Sequence, residues 1–166
     1  MIKSNEWDLE LDHSKVLEVL KGLIGIRIPR VYEIDKNNIG TQVKGGKVVS
    51  LKLPYCGLKS LPESFGNLKS LQTLYLNYNK LKTFPDSISQ LESLDELNLE
   101  GNKLTSLPDS IINSNLFRKN GTINIGGNSF VGEFDELNLC NYCEDISNFF
   151  VKRRQMKKKA FIEKSK

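Results

Sequence analysis

Three stretches decide the fold: VVSLKLPYCGL at 48–58, LQTLYLNYNKL at 71–81 and LDELNLEGNKL at 94–104. Each begins 23 residues after the one before. Val48, Leu71 and Leu94 align, as do Leu51, Leu74 and Leu97, and then Leu53, Leu76 and Leu99. Cys56 falls in the column of Asn79 and Asn102, and Leu58 in that of Leu81 and Leu104. Downstream, Leu61, Phe84 and Leu107 are each followed by a proline, Pro62, Pro85 and Pro108. Phe65, Ile88 and Ile111 form another column, and Leu68 and Leu91 close the first two units. A match in one or two columns would be ordinary chance; nine columns indicate an internal repeat. The period breaks after Ile112, yet Ile123, Ile125, Asn128 and Phe130 restore the offsets 26 residues after Leu97, Leu99, Asn102 and Leu104. NSNLFRKNGT therefore carries a three-residue insertion, and GTINIGGNSF is a terminal half-unit.

The consensus, L-x-x-L-x-L-x-x-N-x-L followed by x-x-L-P-x-S-I-x-x-L, resembles that of the leucine-rich repeat family. Its 23-residue spacing is similar to the subclass found in Ras-suppressor-like and Ras-group-related proteins. The resemblance covers residues 46–131. It implies an α/β fold, a short right-handed solenoid whose parallel strands line a concave face. It also implies a non-enzymatic module that binds a protein, in a signalling setting of the small-GTPase kind.

The residues account for such a fold on physical grounds. In L-x-L, alternate side chains of a short strand point inward, so Leu51 and Leu53 should stack with Leu74 and Leu76, then with Leu97, Leu99, Ile123 and Ile125. No unit could bury this column alone. Asn79, Asn102 and Asn128 stand where the chain leaves the strand, and an amide side chain can both donate to and accept from neighbouring turns. Cys56 takes that place in the first unit as a small buried residue. Ser64, Ser87 and Ser110 are expected to cap the turns that follow the prolines.

Both ends of such a stack need covering. Four segments are expected: an N-terminal cap at 1–45, repeats at 46–131, a C-terminal cap at 132–150 and a basic tail at 151–166. DHSKVLEVLKGLI at 12–24 has Val16, Leu17, Leu20 and Ile24 at helical spacing, with Asp12 or Ser14 as the cap and Gly22 as the stop. IGTQVKGGKVVSLKL at 39–53 reads as a hairpin turning at Gly45-Gly46, its second arm being the first repeat strand. Residues 26–35 read as extended, with Pro29 barring a central strand. Phe134, Leu137, Leu139, Ile146, Phe149 and Phe150 would supply the apolar cover at the other end.

Composition agrees with one soluble domain: 166 residues with 39% hydrophobic content. No apolar run is long enough to span a bilayer. The polar start MIKSNEWDLELD lacks a signal-peptide core, so a cytoplasmic location is expected. The 23 leucines and 16 asparagines are residues that the repeat uses in fixed places. The net charge of +4 divides unevenly. Residues 151–166 hold 8 of the 24 Lys+Arg and 1 of the 20 Asp+Glu, a tail of +7 on a body of −3.

Little points to catalysis. His13 is the one histidine, expected to be a partly exposed helix residue, and no nucleophile or phosphate-loop motif accompanies it. Cys140-x-x-Cys143 lacks a second ligand pair. Buried cap cysteines are the expected reading; a disulfide, a metal shared across a dimer and redox sensing stay open. No cofactor is expected.

Residues between the inward leucines should face the concave surface, free of core packing and available for recognition. They form four rows: Ser50, Thr73, Glu96, Thr122; Lys52, Tyr75, Asn98, Asn124; Pro54, Asn77, Glu100, Gly126; and Tyr55, Tyr78, Gly101, Gly127. The expected partner-binding set is Lys52, Tyr55, Thr73, Tyr75, Asn77, Tyr78, Glu96, Asn98, Glu100 and Asn124, a tyrosine centre with an acidic side to which Asp95 adds. The partner expected is another protein, with the chain itself a monomer. The alternative site is the tail, where Lys152, Arg153, Arg154, Lys157, Lys158 and Lys159 would attract an anionic membrane or nucleic acid.

Overall fold

The computed structural model describes residues 9–32, 38–107, 111, 116 and 121–130. A helix α1 (Leu11–Ile24) precedes five strands: β1 (Gly40–Lys44), β2 (Lys47–Lys52), β3 (Thr73–Tyr75), β4 (Glu96–Asn98) and β5 (Thr122–Asn124). They form one sheet in chain order, antiparallel between β1 and β2 and parallel from β2 to β5. Leu51, Leu74, Leu97 and Ile123 lie side by side across the parallel strands. The three-residue insertion is thus absorbed before β5, with no slip in register. Had it slipped by one residue, every inward side chain would have turned outward.

Each strand is only three to six residues long because the core needs two inward side chains per unit. Leu53, Leu76, Leu99 and Ile125 form the second buried row directly past the strands. The chain returns through extended Pro62 and Pro85 into short 3-10 helices, Glu63–Asn67 and Asp86–Gln90. Phe65 and Ile88 drop from them into the core. Ser64 and Ser87 do not cap these turns. They lie inside them, no side-chain cap bond forms, and Ser87 Oγ is buried without a partner. The fixed φ of the preceding proline sets the entry in their stead. Ser110 lies outside the described residues.

Behind the strands runs a ladder of amides, buried at Asn79 and Asn102 and half-buried at Asn128. Asn102 Nδ2 donates to the carbonyls of Leu99 (2.9 Å) and, one unit back, Leu76 (2.9 Å), while its Oδ1 accepts the Leu81 N–H (3.1 Å). Asn79 does the same with Leu76, Leu53 and Leu58, and Asn128 with Ile125, Leu99 and Leu104. Every rung reaches backwards to the preceding unit. The first unit has no repeat behind it, so an asparagine there would keep only bonds within its own unit and lose the backward ones. Cys56 fills the place half-buried, its Sγ making only a long contact to the Pro54 carbonyl (3.4 Å).

At the N-terminal end, α1 packs Val16, Leu17 and Leu20 into the same core. It begins after Glu10 with no capping side-chain bond from that residue, and passes through Gly22 to end at Gly25, whose N–H bonds the Lys21 carbonyl (2.9 Å). The expected cap and stop are both corrected. Asp12 lies one position inside the helix, where it faces the N-terminal dipole, and Gly22 keeps helical geometry because nothing in the sequence after it forces an end until Gly25. The hairpin turns at Gly45-Gly46 as expected. Residues 29–31 run along the outer edge of β1, exchanging bonds with Thr41 (both 2.8 Å). Among the described residues, no helix is long and apolar enough to cross a membrane.

His13 also departs from the partly exposed position expected of it. It is 4% exposed, and its Nδ1 accepts the Val48 N–H at 2.9 Å, joining α1 to the start of β2. Glu10 supports the junction, its N–H bonding the Gly46 carbonyl (2.8 Å) and its carboxylate pairing with Lys47 (3.4 Å). The ring faces inward because it shares a helix face with Val16, Leu17 and Leu20. Burial lowers its pKa from 6.5, with Lys47 adding to that effect and Glu10, Asp12 and a backbone bond to Asn67 opposing it.

Two outcomes follow from these contacts. Asn102→Ala leaves the buried Leu81 N–H without a partner and takes one of two amide donors from each of the Leu76 and Leu99 carbonyls; it should cost about 2–3 kcal/mol in urea unfolding, and Cys56→Ala less than half of that. Because folded His13 binds its proton less readily than the unfolded chain, stability is held above pH 6.5 and lost as pH falls through the lowered value. Unfolding at about pH 7.5 and about pH 5 should show a drop in the wild type and a smaller one in His13→Gln.

Candidate protein-binding surface

The turn after each parallel strand enters the left-handed region at the same place, at Tyr55 (φ 56°), Tyr78 (φ 56°), Gly101 (φ 66°) and Gly127 (φ 64°), and the first turn does so again at Gly57 (φ 70°). Each of the four aligned residues directly precedes the ladder position, Cys56, Asn79, Asn102 or Asn128. The backbone must reverse there to aim the next side chain inward. Glycine does this without strain, whereas a tyrosine costs about 1 kcal/mol or more. The two tyrosines are thrown to the outside of the turn, 68% and 41% exposed. Their rings stack at 4.7 Å between centroids and 9° between planes. Tyr78 in turn lies over Gly101, where an added Cβ would stand 2.8 Å from Cε1 and closer still to Cδ1. Tyr55, Tyr78 and the Gly101 backbone thus form a three-layer ladder across the first three units.

Carboxylates from the next unit hold the phenols. Tyr78 donates its hydroxyl to Glu100 Oε1 (2.6 Å), and Asn124 Nδ2 donates to Glu100 Oε2 (3.1 Å). The Tyr78 pKa is raised, chiefly by that hydrogen bond. Tyr75 donates to Glu96, and burial followed by this bond raises its pKa as well. Lys52 places Nζ 4.5 Å from the Tyr75 ring centroid. Asn98 and Asn124 turn their Oδ1 atoms onto the N–H groups two residues on, Glu100 (3.0 Å) and Gly126 (3.1 Å), shaping the turns of the third and fourth units.

The expected surface is therefore only partly free of packing. Tyr55 and Tyr78 are exposed, and Thr73, Glu96, Asn98, Glu100 and Asn124 are half-buried. Lys52, Tyr75 and Asn77 are 2%, 4% and 6% exposed, a correction to their expected accessibility. Long side chains on strands about 4.8 Å apart lie across one another, and the Lys52 stem covers the ring whose hydroxyl Glu96 already holds. Asn77 Oδ1 is buried without a donor. The left-handed column was a missed signal. Two glycines aligned with two tyrosines already mark a position that needs positive φ.

Residues 47–104 match the family model described as Leucine rich repeat. Such repeats generally mediate protein–protein interaction and are typically non-enzymatic. The matched segment spans β2 to β4, the part of the sheet that carries the tyrosine ladder and both phenol–carboxylate pairs. No curated protein matches the chain. Among the described residues, no group of three or more His, Cys, Asp or Glu could hold a metal ion. Cys140, Cys143 and the basic tail residues lie outside the described residues. Burial pushes the Cys56 thiol pKa up, which favours the unreactive thiol form.

The strained column makes a test of its own. At an ordinary site glycine is less stable than alanine, but Tyr55→Gly should be more stable than Tyr55→Ala by about 1 kcal/mol, because only glycine relieves the positive φ. Urea unfolding of the two variants reads this directly.

Proposed function

We propose that this chain is a short, monomeric, non-enzymatic repeat solenoid that binds a protein partner through its concave face and the adjoining turns. In this reading α1 and β1 close the N-terminal end, and the ladder of Tyr55 and Tyr78 is the centre of the contact. One observation carries it: two exposed aromatic rings occupy backbone positions that glycine fills without strain in the neighbouring units. Strained residues concentrate where function retains them. Tyrosine brings a large rigid area and a hydroxyl at small entropic cost, which suits an interface anchor. Glu96 and Glu100, bonded to the phenols, give the contact an acidic side. The five-strand face is about 20 Å across, enough for a loop, a helix or the edge of a small domain. The protein works inside the cell in this reading, and small-GTPase signalling is the setting the family resemblance implies.

The test is a binding measurement on partners confirmed with purified components. Tyr55→Ala with Tyr78→Ala should weaken affinity at least ~30-fold, the loss expected of a central hot spot. Tyr55→Phe with Tyr78→Phe should lose much less, and circular dichroism should show both variants folded. Unchanged affinity of the double alanine variant for every confirmed partner would refute the reading.

A further inference from the structure

The concave side carries one arrangement twice. In the first instance, the Tyr75 hydroxyl is bonded to Glu96 of the next unit, and Lys52 of the preceding unit lies over the ring at 4.5 Å from its centroid. A phenol tied to a carboxylate holds a cation on its face. In the second instance, the Tyr78 hydroxyl is bonded to Glu100 of the next unit at 2.6 Å. Here the preceding unit supplies Tyr55 in place of a lysine, stacked on Tyr78. The aromatic surface and the carboxylate are present, and among the described residues no cation lies over either ring. Tyr55 is 68% exposed, with Tyr78 against one side of its ring.

One further feature bears on the shape of the ligand. The two rings, 9° from parallel, present a flat face that a planar group would extend by one layer. A guanidinium is planar, weakly hydrated, stacks on aromatic rings and offers five donors; an ammonium is a compact, strongly hydrated point charge.

We propose that the Tyr55–Tyr78–Glu100 corner receives an arginine side chain of the protein partner, the guanidinium stacked on Tyr55 within the field of Glu100. This rests on the reading that the face binds a protein, and specifies the chemistry of the segment it takes: basic, with arginine preferred to lysine.

The full chain would be titrated with the blocked tripeptide acetyl-Gly-Arg-Gly-amide, following the ring proton resonances of Tyr55 and Tyr78 by NMR. Versions with citrulline, lysine or proline at the centre serve as comparisons. The arginine peptide should shift both rings and bind at least ~3-fold more tightly than the neutral, similarly shaped citrulline peptide, the ratio a solvent-exposed cation–π contact gives. Tyr55→Leu should abolish the shifts, Tyr55→Phe should keep them, and Glu100→Gln, which preserves an acceptor for Tyr78, should weaken binding about 3-fold. Equal binding of arginine and citrulline, or a preference for proline, would overturn the inference and make the ladder a neutral stacking surface. If no peptide shifts the rings while a confirmed partner still depends on Tyr55 and Tyr78, the arginine assignment fails and the binding surface stands. If the partner is also indifferent to those residues, both fail.

Discussion

The backward reach of one amide side chain organises this protein. Asn79, Asn102 and Asn128 each bond their own unit and the one before it, so every unit is located by its predecessor. Leucine packing alone would let neighbouring units slide, because apolar contact has no direction. The amide bonds have direction, and an unpaired donor or acceptor in that interior costs about 1–3 kcal/mol. Lateral alignment of Leu51, Leu74, Leu97 and Ile123 follows from the two effects together. The same requirement sets the backbone just ahead of each rung. The chain must enter the left-handed region at 55, 78, 101 and 127 for the next side chain to point inward, and whatever stands there is turned outward. The exposed tyrosines are thus a product of the interior hydrogen bonding.

A chain of backward-reaching contacts has a beginning that cannot obey the rule. The first unit meets this with different chemistry: Cys56 in place of asparagine, an antiparallel hairpin in place of a parallel neighbour, and a helix fastened by His13. Each substitutes a local partner for the absent preceding unit. The histidine makes that junction sensitive to protons, because the atom that accepts the Val48 N–H is the one that protonation would occupy.

The repeat, its strands and the amide column were legible because they recur, and recurrence fixes position without any three-dimensional information. The insertion before β5 could be read for the same reason. The helix ends were not legible, since capping depends on local geometry that Asp12, Ser14 and Gly22 could each have satisfied. The inward face of His13 stood in its spacing from Val16, Leu17 and Leu20, but its bond to the Val48 N–H depends on how α1 packs on β2. At the surface, alternation correctly separated inward from outward residues. It could not show that Lys52 and Tyr75 would cover each other, because that depends on side-chain length across strands and not on period. The tyrosine–glycine column was present in the alignment, but its meaning lies in a backbone angle.

The energetics of that column separate scaffold from surface. Two tyrosines in the left-handed region cost about 1–2 kcal/mol each. Their single stacking contact returns about 0.5–1.5 kcal/mol beyond the area it buries. Glycine at the same positions in the third and fourth units completes the turn, seats the amide rung and keeps the strand register with neither term. Tyr78 adds a demand of its own, because its ring occupies the space that a side chain at Gly101 would need. The two rings therefore constrain the fold more than they support it. Their contribution is better sought in what they present to solvent: a flat, strongly aromatic face, held by the Glu100 carboxylate at its edge and set in orientation by the turns that carry the amide ladder.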